Sequence, residues 1–153
     1  MEHKFWGKIN ENWIGFLSDV KFKIPYLKKE EIEIYLGRDR SIPDEQEMDD
    51  YEKTFRSFLD NIKDAMDEIK KETFTRYKNI YAKYYEDFNR SGEEPLNIDN
   101  DEKHFEYIQD ILYIRILKRN TLKILIRYDL DPEHGIEIKM KKNKIIAIGG
   151  IAA

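Results

Sequence analysis

The feature that most constrains the fold is a stretch of 46 residues, 44–89, that contains neither Gly nor Pro. From Met48 to Ile69 the apolar side chains recur at spacings of three and four, and Asp and Glu are concentrated at the beginning of the stretch. This spacing is typical of an amphipathic α-helix, and early acidic residues favour the positive end of the helix dipole. We therefore predict a helix over residues 44–72 and another over residues 73–89, either continuous with the first or separated from it near residues 71–73.

Both ends of the helical region carry local signals. Ser41 can accept a hydrogen bond from a first-turn N–H, Pro43 tolerates an early helical position, and the acidic Asp44 lies three places after the serine. At the other end, Gly92 and Pro95 are typical of a helix stop. The helical region is therefore predicted to begin just after Ser41 and to end before Gly92.

Segments with the alternation of β-strands lie on both sides of the helical region. On the N-terminal side, residues 20–24 and 32–36 alternate apolar and polar side chains, which predicts a hairpin with a polar run at residues 28–30 and a close at residues 37–40. On the C-terminal side, short apolar runs separated by tight turns predict a meander of four strands. These strands are residues 111–117, 122–128, 136–140 and 144–148.

The order of strands, then helices, then strands predicts an α+β fold. We expect an antiparallel sheet, made of the N-terminal hairpin and the C-terminal four-strand meander, packed against a long helical pair. A short segment around His104 is predicted to be helical. One domain spanning residues 1–153 is expected at this length.

Composition narrows the functional classes. The chain has no Cys, which excludes disulfides, thiolate zinc sites and cysteine nucleophiles. Charged residues make up 38% of the chain, yet 13% is aromatic, whereas a disordered chain would be poor in aromatic residues. No run approaches the roughly 18 apolar residues of a membrane span, and the N-terminus lacks the apolar segment of a signal peptide. We expect a folded, soluble, cytoplasmic protein with no membrane partner.

Charge is divided unevenly along a chain whose formal net charge is −4. Residues 44–72 carry 11 acidic and 5 basic side chains, whereas residues 111–146 carry 4 acidic and 9 basic ones. One interpretation is that each segment presents a solvated face; the other is that the acidic helix faces a basic partner protein. The candidate partner-binding residues of this helix are Asp44, Glu45, Glu47, Asp49, Asp50 and Glu52.

The predicted meander carries the basic side chains. They are Arg115, Lys118, Arg119, Lys123, Arg127, Lys139, Lys141, Lys142 and Lys144. A patch of this kind suits phosphate binding, but single-stranded nucleic acid also requires interleaved aromatic residues, and only Tyr113 and Tyr128 are near in sequence. Because the sequence pI is also near 5.5, we expect no nucleic-acid partner.

Aromatic residues supply a second set of candidate contacts. Trp6 and Trp13 either anchor the N-terminal segment in the core or present an exposed Trp to a partner. In the second helical stretch, an apolar stripe is formed by Phe74, Tyr77, Tyr81, Tyr84 and Phe88. Tyr85 falls outside this stripe, so it is predicted to be the exposed aromatic residue that contacts a partner.

The sequence contains no recognisable catalytic or metal-binding pattern. The three histidines have no metal-ligand spacing, and no nucleophile elbow or phosphate loop occurs, so we expect a non-enzymatic protein with no catalytic residue, metal or cofactor. The densest polar cluster is a motif loop that contains Asp129, Asp131, Glu133, His134 and Gly135. Counted as an EF-hand from Asp129, it has His134 where Gly is required and Met140 where an acid is required. We predict a structural loop in which Gly135 supplies an unusual backbone conformation.

Several of these features recur together in a known group of proteins. The chain combines Trp13 and Gly15 near its start, a tyrosine-rich helical middle, and the sequence Glu133-His134-Gly135 entering a strand. In this it resembles a group of small bacterial α+β domains of unknown function, some of which look like immunity proteins encoded beside polymorphic toxins. The resemblance implies a cytoplasmic binding protein that neutralises a cognate toxin. The alternative is a regulatory or scaffolding domain that could form a homo-oligomer through an exposed strand edge.

Overall fold

The structure is a computed structural model that describes residues 1–25, 27, 31–38 and 41–151. Strands lie at both ends of the chain and helices in the middle. In chain order the elements are β1 (Glu2–His3), β2 (Gly7–Glu11), β3 (Phe16–Ser18), β4 (Ile34–Leu36), α1 (Glu45–Asp60), α2 (Ile62–Arg76), a π-helical turn (Tyr77–Tyr81), α3 (Ala82–Tyr85), α4 (Phe88–Ser91), α5 (Asp101–Phe105), a 3-10 turn (Glu106–Ile108), β5 (Asp110–Leu117), β6 (Thr121–Arg127), β7 (Ile136–Lys141) and β8 (Lys144–Gly149).

The eight strands form one mixed sheet in chain order. Neighbouring strands are antiparallel except for β4 and β5, which are parallel and align Ile34 with Ile114. The predicted mixture of helices and strands is therefore confirmed, but the prediction of a purely antiparallel sheet is wrong at this pairing. The helices between β4 and β5 return the chain to the end of the sheet where β4 began, so β5 runs in the same direction.

The predicted N-terminal hairpin does not form as a strand pair. Phe22 and Ile32 make a single isolated bridge, and β4 pairs instead with β3 and β5. All three residues of β4 are buried, including Tyr35, which the alternation placed on the polar side. A strand buried on both faces lies inside a sheet and needs two neighbours. The polar run at residues 28–30 and residues 39–40 of the predicted close lie outside the described residues.

The C-terminal meander forms with its predicted strand order. β5 through β8 pair in succession, and the pairing register opposes Leu117 to Thr121 and Lys141 to Lys144. The β7–β8 turn consists of two residues with positive φ, Lys142 at 50° and Asn143 at 65°. Positive φ at both turn residues matches the twist of the flanking strands, so this connection aligns Lys141 with Lys144.

The predicted helix cap is wrong, and of the two alternatives for residues 71–73 the structure shows the continuous one. The cap of α1 is Asp44 rather than Ser41, because the Asp44 side chain accepts from the Glu47 N–H and the Glu47 side chain accepts from the Asp44 N–H. The break between α1 and α2 is at Asn61, where φ is −112° and ψ is 23°, and the helix continues through residues 71–73. The Asn61 side chain donates to the Ser57 carbonyl at 2.9 Å, which stabilises this non-helical residue without Gly or Pro.

The core lies between the sheet and the helices. α1 packs against β5 and β6, while α2 contacts β8 and α5. The apolar face of α1 is buried through Met48, Tyr51, Phe55 and Phe58, as the spacing predicts. Trp6 is fully buried beside Phe55, and its indole N–H donates to the Met48 carbonyl at 3.0 Å. The N-terminal segment is thereby fixed to α1.

Candidate functional site

The acidic residues at the beginning of α1 make bonds within the protein. Asp44 and Glu47 form the reciprocal cap, at 2.8 Å from the Glu47 N–H and 3.1 Å from the Asp44 N–H. Glu47 also pairs with Lys118 at 3.2 Å, and Glu52 pairs with Arg56 at 2.7 Å. These carboxylates stabilise the helix and connect it to the β5–β6 turn, so a partner that bound them would have to compete with existing contacts.

Asp49 holds the N-terminus of the chain through His3. The Phe5 and Trp6 N–H groups donate to His3 Nδ1 at 3.1 and 3.3 Å, so the imidazole proton is assigned to Nε2, which donates to Asp49 at 2.7 Å. This hydrogen bond lowers the pKa of the Asp49 carboxyl. Glu52 lies close enough to His3 and Asp49 to complete a three-ligand cation cluster. The Nε2 proton occupies the lone-pair position that a metal would need, so the geometry fits a structural hydrogen bond rather than a metal centre.

Three of the six candidate acids are exposed, and one of these, Asp44, is the helix cap. The other two are Glu45 and Asp50, and the Asp50 carboxylate accepts a long hydrogen bond of 3.3 Å from the exposed Gln46. The acidic helix therefore offers a partner two exposed carboxylates, Glu45 and Asp50, that do not form the helix cap, rather than the full set.

The motif loop is organised by Asp131. Its carboxylate accepts from the Tyr81 hydroxyl at 2.8 Å and from His134 Nδ1 at 2.9 Å, and its carbonyl accepts from the Gly135 N–H at 2.9 Å. Burial alone would raise the pKa of the Asp131 carboxyl, but these hydrogen bonds outweigh it and lower the pKa. The same contact raises the pKa of His134. Asp131 thus connects the loop to Tyr81 and holds His134 and Gly135 within its turn.

Gly135 is required by the backbone of the motif loop. Its φ is +63°, and a Cβ at this position would lie 2.8 Å from the Ile126 carbonyl oxygen and 2.8 Å from Ile151 Cδ1. Three other loop residues are exposed: Asp129 at the start of the turn, and Glu133 and His134 just before the glycine. The loop thus presents polar side chains outward from a backbone that only glycine fits.

The tyrosine stripe changes register at the π-helical turn. Tyr77 and Tyr81 face inward as predicted, but Tyr84 is 50% exposed, whereas Tyr85 is half-buried and its hydroxyl donates to the Leu130 carbonyl. A π-turn contains one more residue than an α-turn, so the inward position after it moves from 84 to 85. The expectation that Tyr85 is the exposed aromatic residue is therefore wrong, and Tyr81 and Tyr85 together fix the motif loop to the helices.

A buried His–Tyr pair lies beneath this stripe. His104 is fully buried, its Nε2 lies 2.7 Å from the Tyr128 hydroxyl, and its Nδ1 has no hydrogen-bond partner among the described residues. Burial lowers the pKa of His104 to about 4 and raises the pKa of Tyr128. Tyr77 packs against the imidazole with ring centroids 5.3 Å apart. The pair is neutral near pH 7 and enclosed by aromatic rings, which is the environment of a core contact.

The two tryptophans have opposite environments. Trp6 is in the core, but the Trp13 side chain is 94% exposed. Trp13 lies in a turn, residues 12–15, in which the Asn12 side chain accepts from the N–H groups of Ile14 and Gly15 at 2.8 and 3.2 Å. Trp6 thus anchors the N-terminal segment in the core, whereas Trp13 is the most exposed large apolar side chain among the described residues.

Arg115 holds the Trp13 turn against the sheet. Its guanidinium donates to the Ile14 carbonyl and to the Gly37 carbonyl, both at 2.8 Å. Gly15 permits this approach, because a Cβ there would lie 3.0 Å from Arg115 Nη1. On the other side of the turn, the Asn12 side chain donates to the Tyr35 hydroxyl at 3.0 Å. The backbone beneath Trp13 is therefore fixed while its indole remains in solvent.

The basic strand residues share the sheet face opposite the helices. Because Ile114, Ile124 and Ile138 face the core, strand alternation places Arg115, Lys123 and Lys139 on the other face. Arg115 stands opposite Lys123, and Lys123 stands opposite Lys139. The structure thus gathers residues from three strands into one basic row.

The residue that holds the Trp13 turn in place, Arg115, was not predicted from the sequence to have this role. Arg115 was assigned only to a basic surface, and its two carbonyl contacts come from segments 78 and 101 residues away. A local signal was present, since Trp13 lies inside an Asn-Trp-Ile-Gly turn rather than an apolar run. A Trp in a polar turn with a closing Gly is a poor candidate for burial.

Comparison with known proteins identifies a family of unknown function. The sequence model described as Domain of unknown function (DUF6985) matches residues 5–152, which is nearly the whole chain. No curated protein and no solved structure matches it. Within the described residues, every helix is too short or too polar to cross a lipid bilayer.

Proposed function

The chain belongs to the DUF6985 family of domains of unknown function, and we propose that it is a non-enzymatic protein-binding domain whose principal contact residue is Trp13. The observation that supports this proposal is the 94% exposure of an indole on a turn fixed by Arg115 and Asn12. Burying such a side chain in a partner removes a large apolar area from water, and the fixed backbone reduces the entropy lost on binding. Tryptophan is enriched among the residues that dominate interface energies.

The proposed partner is a cognate toxin, and the proposed location is the cytoplasm. Support comes from the resemblance to immunity-like domains and from the polar loops and pairings described above, none of which forms a catalytic constellation in the described residues. Glu45 and Asp50 are a second proposed contact, because they are exposed and do not form the cap of α1. Asp44, Glu47, Asp49 and Glu52 are assigned to the structure of α1 instead.

A second candidate is self-association through the edge strand β8. It is favoured by Ile146, which is 53% exposed on this strand. It is opposed by Glu68, whose carboxylate accepts from the Ile145 N–H at 2.9 Å and so occupies part of the edge. A dimer in solution that Ile146→Lys dissociates would support this candidate over a heterologous partner.

The test of the principal proposal compares three variants in one binding assay. The purified product of the neighbouring gene is titrated with the wild-type chain, with Trp13→Ala, and with Phe88→Ala as a control that removes another exposed aromatic ring. Trp13→Ala is expected to weaken binding by about 30-fold or more, corresponding to about 2 kcal/mol, while Phe88→Ala changes Kd by less than about two-fold. Equal affinities for all three proteins would contradict the assignment of Trp13.

Fluorescence gives a second, internal readout. Trp6 is buried and Trp13 is exposed, so binding at Trp13 is expected to shift the emission to shorter wavelength. In Trp13→Ala the emission of Trp6 reports that the core is intact.

Co-expression with the toxin tests the biological role: the wild-type chain is expected to restore growth and Trp13→Ala is not. Growth restored by Glu45→Lys plus Asp50→Lys would exclude the acidic helix as an essential contact.

A further inference from the structure

A basic cavity adjoins the open face of the sheet. It has a volume of about 530 Å³ and lies between the segment after β4 and the β5–β6 turn. Its cationic lining residues are Arg38, Lys118, Arg119, Lys139 and Lys141, against one carboxylate, Glu47. Glu47 already pairs with Lys118. In the described part of the chain, Arg119, Lys139 and Lys141 have no carboxylate within ion-pair distance, so the cavity keeps an excess of positive charge.

The strand register forces this positive charge together. Lys139 stands opposite Lys123, and Lys141 stands opposite Lys144. Like charges directly opposite one another destabilise a sheet, and of these four lysines only Lys123 has a carboxylate within ion-pair distance in the described residues, Glu137 at 3.6 Å. The side chains of Lys139 and Lys141 project away from the core, on the open face of the sheet. A bound anion would supply the missing countercharge.

The cavity also has an apolar wall. Ile42, Pro43 and Leu117 line the cavity, together with Tyr51, which is almost fully buried. The volume is within the range of small-molecule sites, which combine apolar walls with a few convergent polar groups. A ligand with a single carboxylate would neutralise only part of the positive charge of the lining. The two or three negative charges of a phosphate ester match that positive charge better. An apolar wall beside the cations suits a ligand that carries a ring next to its phosphates.

We propose that this cavity binds a phosphorylated small molecule, with the phosphates held by Arg119, Lys139 and Lys141 and the ring placed against Ile42 and Leu117. The site is independent of the contact proposed for Trp13. Arginine and lysine bind phosphate through charge-assisted hydrogen bonds, which are stronger than neutral ones. Binding is expected to weaken with rising salt, because exposed charges are screened.

The test uses ADP, pyrophosphate and adenosine as separate calorimetric probes of the full chain. ADP is expected to bind most tightly, pyrophosphate more weakly, and adenosine weakest, since each smaller probe lacks either the ring or the charge. Lys139→Gln plus Lys141→Gln is expected to weaken ADP binding by about 20-fold. This factor is what the loss of two charge-assisted hydrogen bonds, each making a modest net contribution to affinity, would produce. The matched control is Lys71→Gln plus Lys83→Gln, which removes the same charge from exposed helical positions.

Three results would overturn the proposal. The first is a calorimetric titration in which neither ADP nor pyrophosphate gives a heat of binding at about 5 mM. At this concentration even weak specific sites are occupied. The second is an equal loss of affinity in the control pair, because net charge alone would then explain binding. The third concerns stability without ligand: relief of like-charge repulsion predicts that Lys139→Gln plus Lys141→Gln leaves the melting temperature unchanged or raises it at low salt. A lower melting temperature would show that the two lysines serve the fold.

Discussion

Acidification is expected to destabilise this protein through one buried side chain, His104. In the folded chain burial lowers the pKa of His104 to about 4, from an ordinary value of 6.5. The unfolded chain therefore binds a proton at pH values where the folded chain does not. Because the unfolded state binds more protons between these two pKa values, stability is full above pH 6.5 and is lost as the pH falls toward 4.

The size of the effect follows from the two pKa values. At about pH 4.5 the imidazole is about 99% protonated in the unfolded chain but only about a quarter protonated in the folded chain. The difference corresponds to about 2 kcal/mol of unfolding free energy lost between about pH 7 and pH 4.5. This is a large fraction of the stability of a typical domain.

The assay is urea unfolding at both pH values for the wild-type chain and for His104→Gln, which has no titrating group at this position. The wild-type free energy of unfolding is expected to fall by about 2 kcal/mol more than that of the variant. His134, whose pKa is raised by Asp131, contributes in the opposite direction, but it is present in both proteins and cancels in the comparison. Equal losses in the two proteins would refute the reasoning, as would a His104 NMR resonance that titrates near pH 6.5.

Three further changes test the contacts of the motif loop and of α1, each by the free energy of unfolding in urea. Gly135→Ala is expected to cost about 3 kcal/mol, because it adds the strain of positive φ to a collision with the Ile126 carbonyl. Gly92→Ala, which has positive φ but open space around it, is expected to cost only about 1 kcal/mol, and equal costs would remove the collision from the explanation. Asp131→Ala is expected to cost about 2 kcal/mol and to return the pKa of His134 toward its ordinary value, whereas Glu133→Ala changes stability by less than about 0.5 kcal/mol. An unshifted His134 titration in Asp131→Ala would show that another group holds the imidazole. Asp44→Ala is expected to cost about 1 kcal/mol through loss of the helix cap, against less than about 0.5 kcal/mol for the exposed Asp50→Ala, and a reversed order would contradict the cap assignment.

The elements that could be predicted well from the sequence are those in which the apolar residues form a clear local pattern. The apolar face of α1 repeats a helical spacing and its side chains are buried, and the apolar runs between tight turns form the strands of the meander. β1 to β3 were missed because they are short and β2 buries only Ile9, which leaves no alternation to detect. β4 was misread because a strand buried on both faces does not alternate in burial.

The candidate contacts were harder to predict than the fold. Local spacing placed Tyr84 inside and Tyr85 outside, but one extra residue in the π-helical turn exchanges them. The acidic helix was identified by composition alone, which does not reveal that Asp49 is bonded to His3, 46 residues away. Trp13 was recognised as a candidate, yet its exposure depends on Arg115, and contacts of such long sequence separation follow from the tertiary fold rather than from any local pattern.

The parallel pairing of β4 with β5 sets an order of events during synthesis of the chain. Ile34 is fully buried, and its register partner Ile114 follows it by 80 residues. At a translation rate of roughly 5–20 residues per second, the ribosome needs at least about 4 seconds to make that partner after β4. During this interval β4 lacks its parallel neighbour, and a chain interrupted before β5 would present the apolar side chains of Ile34 and Leu36 to chaperones and proteases.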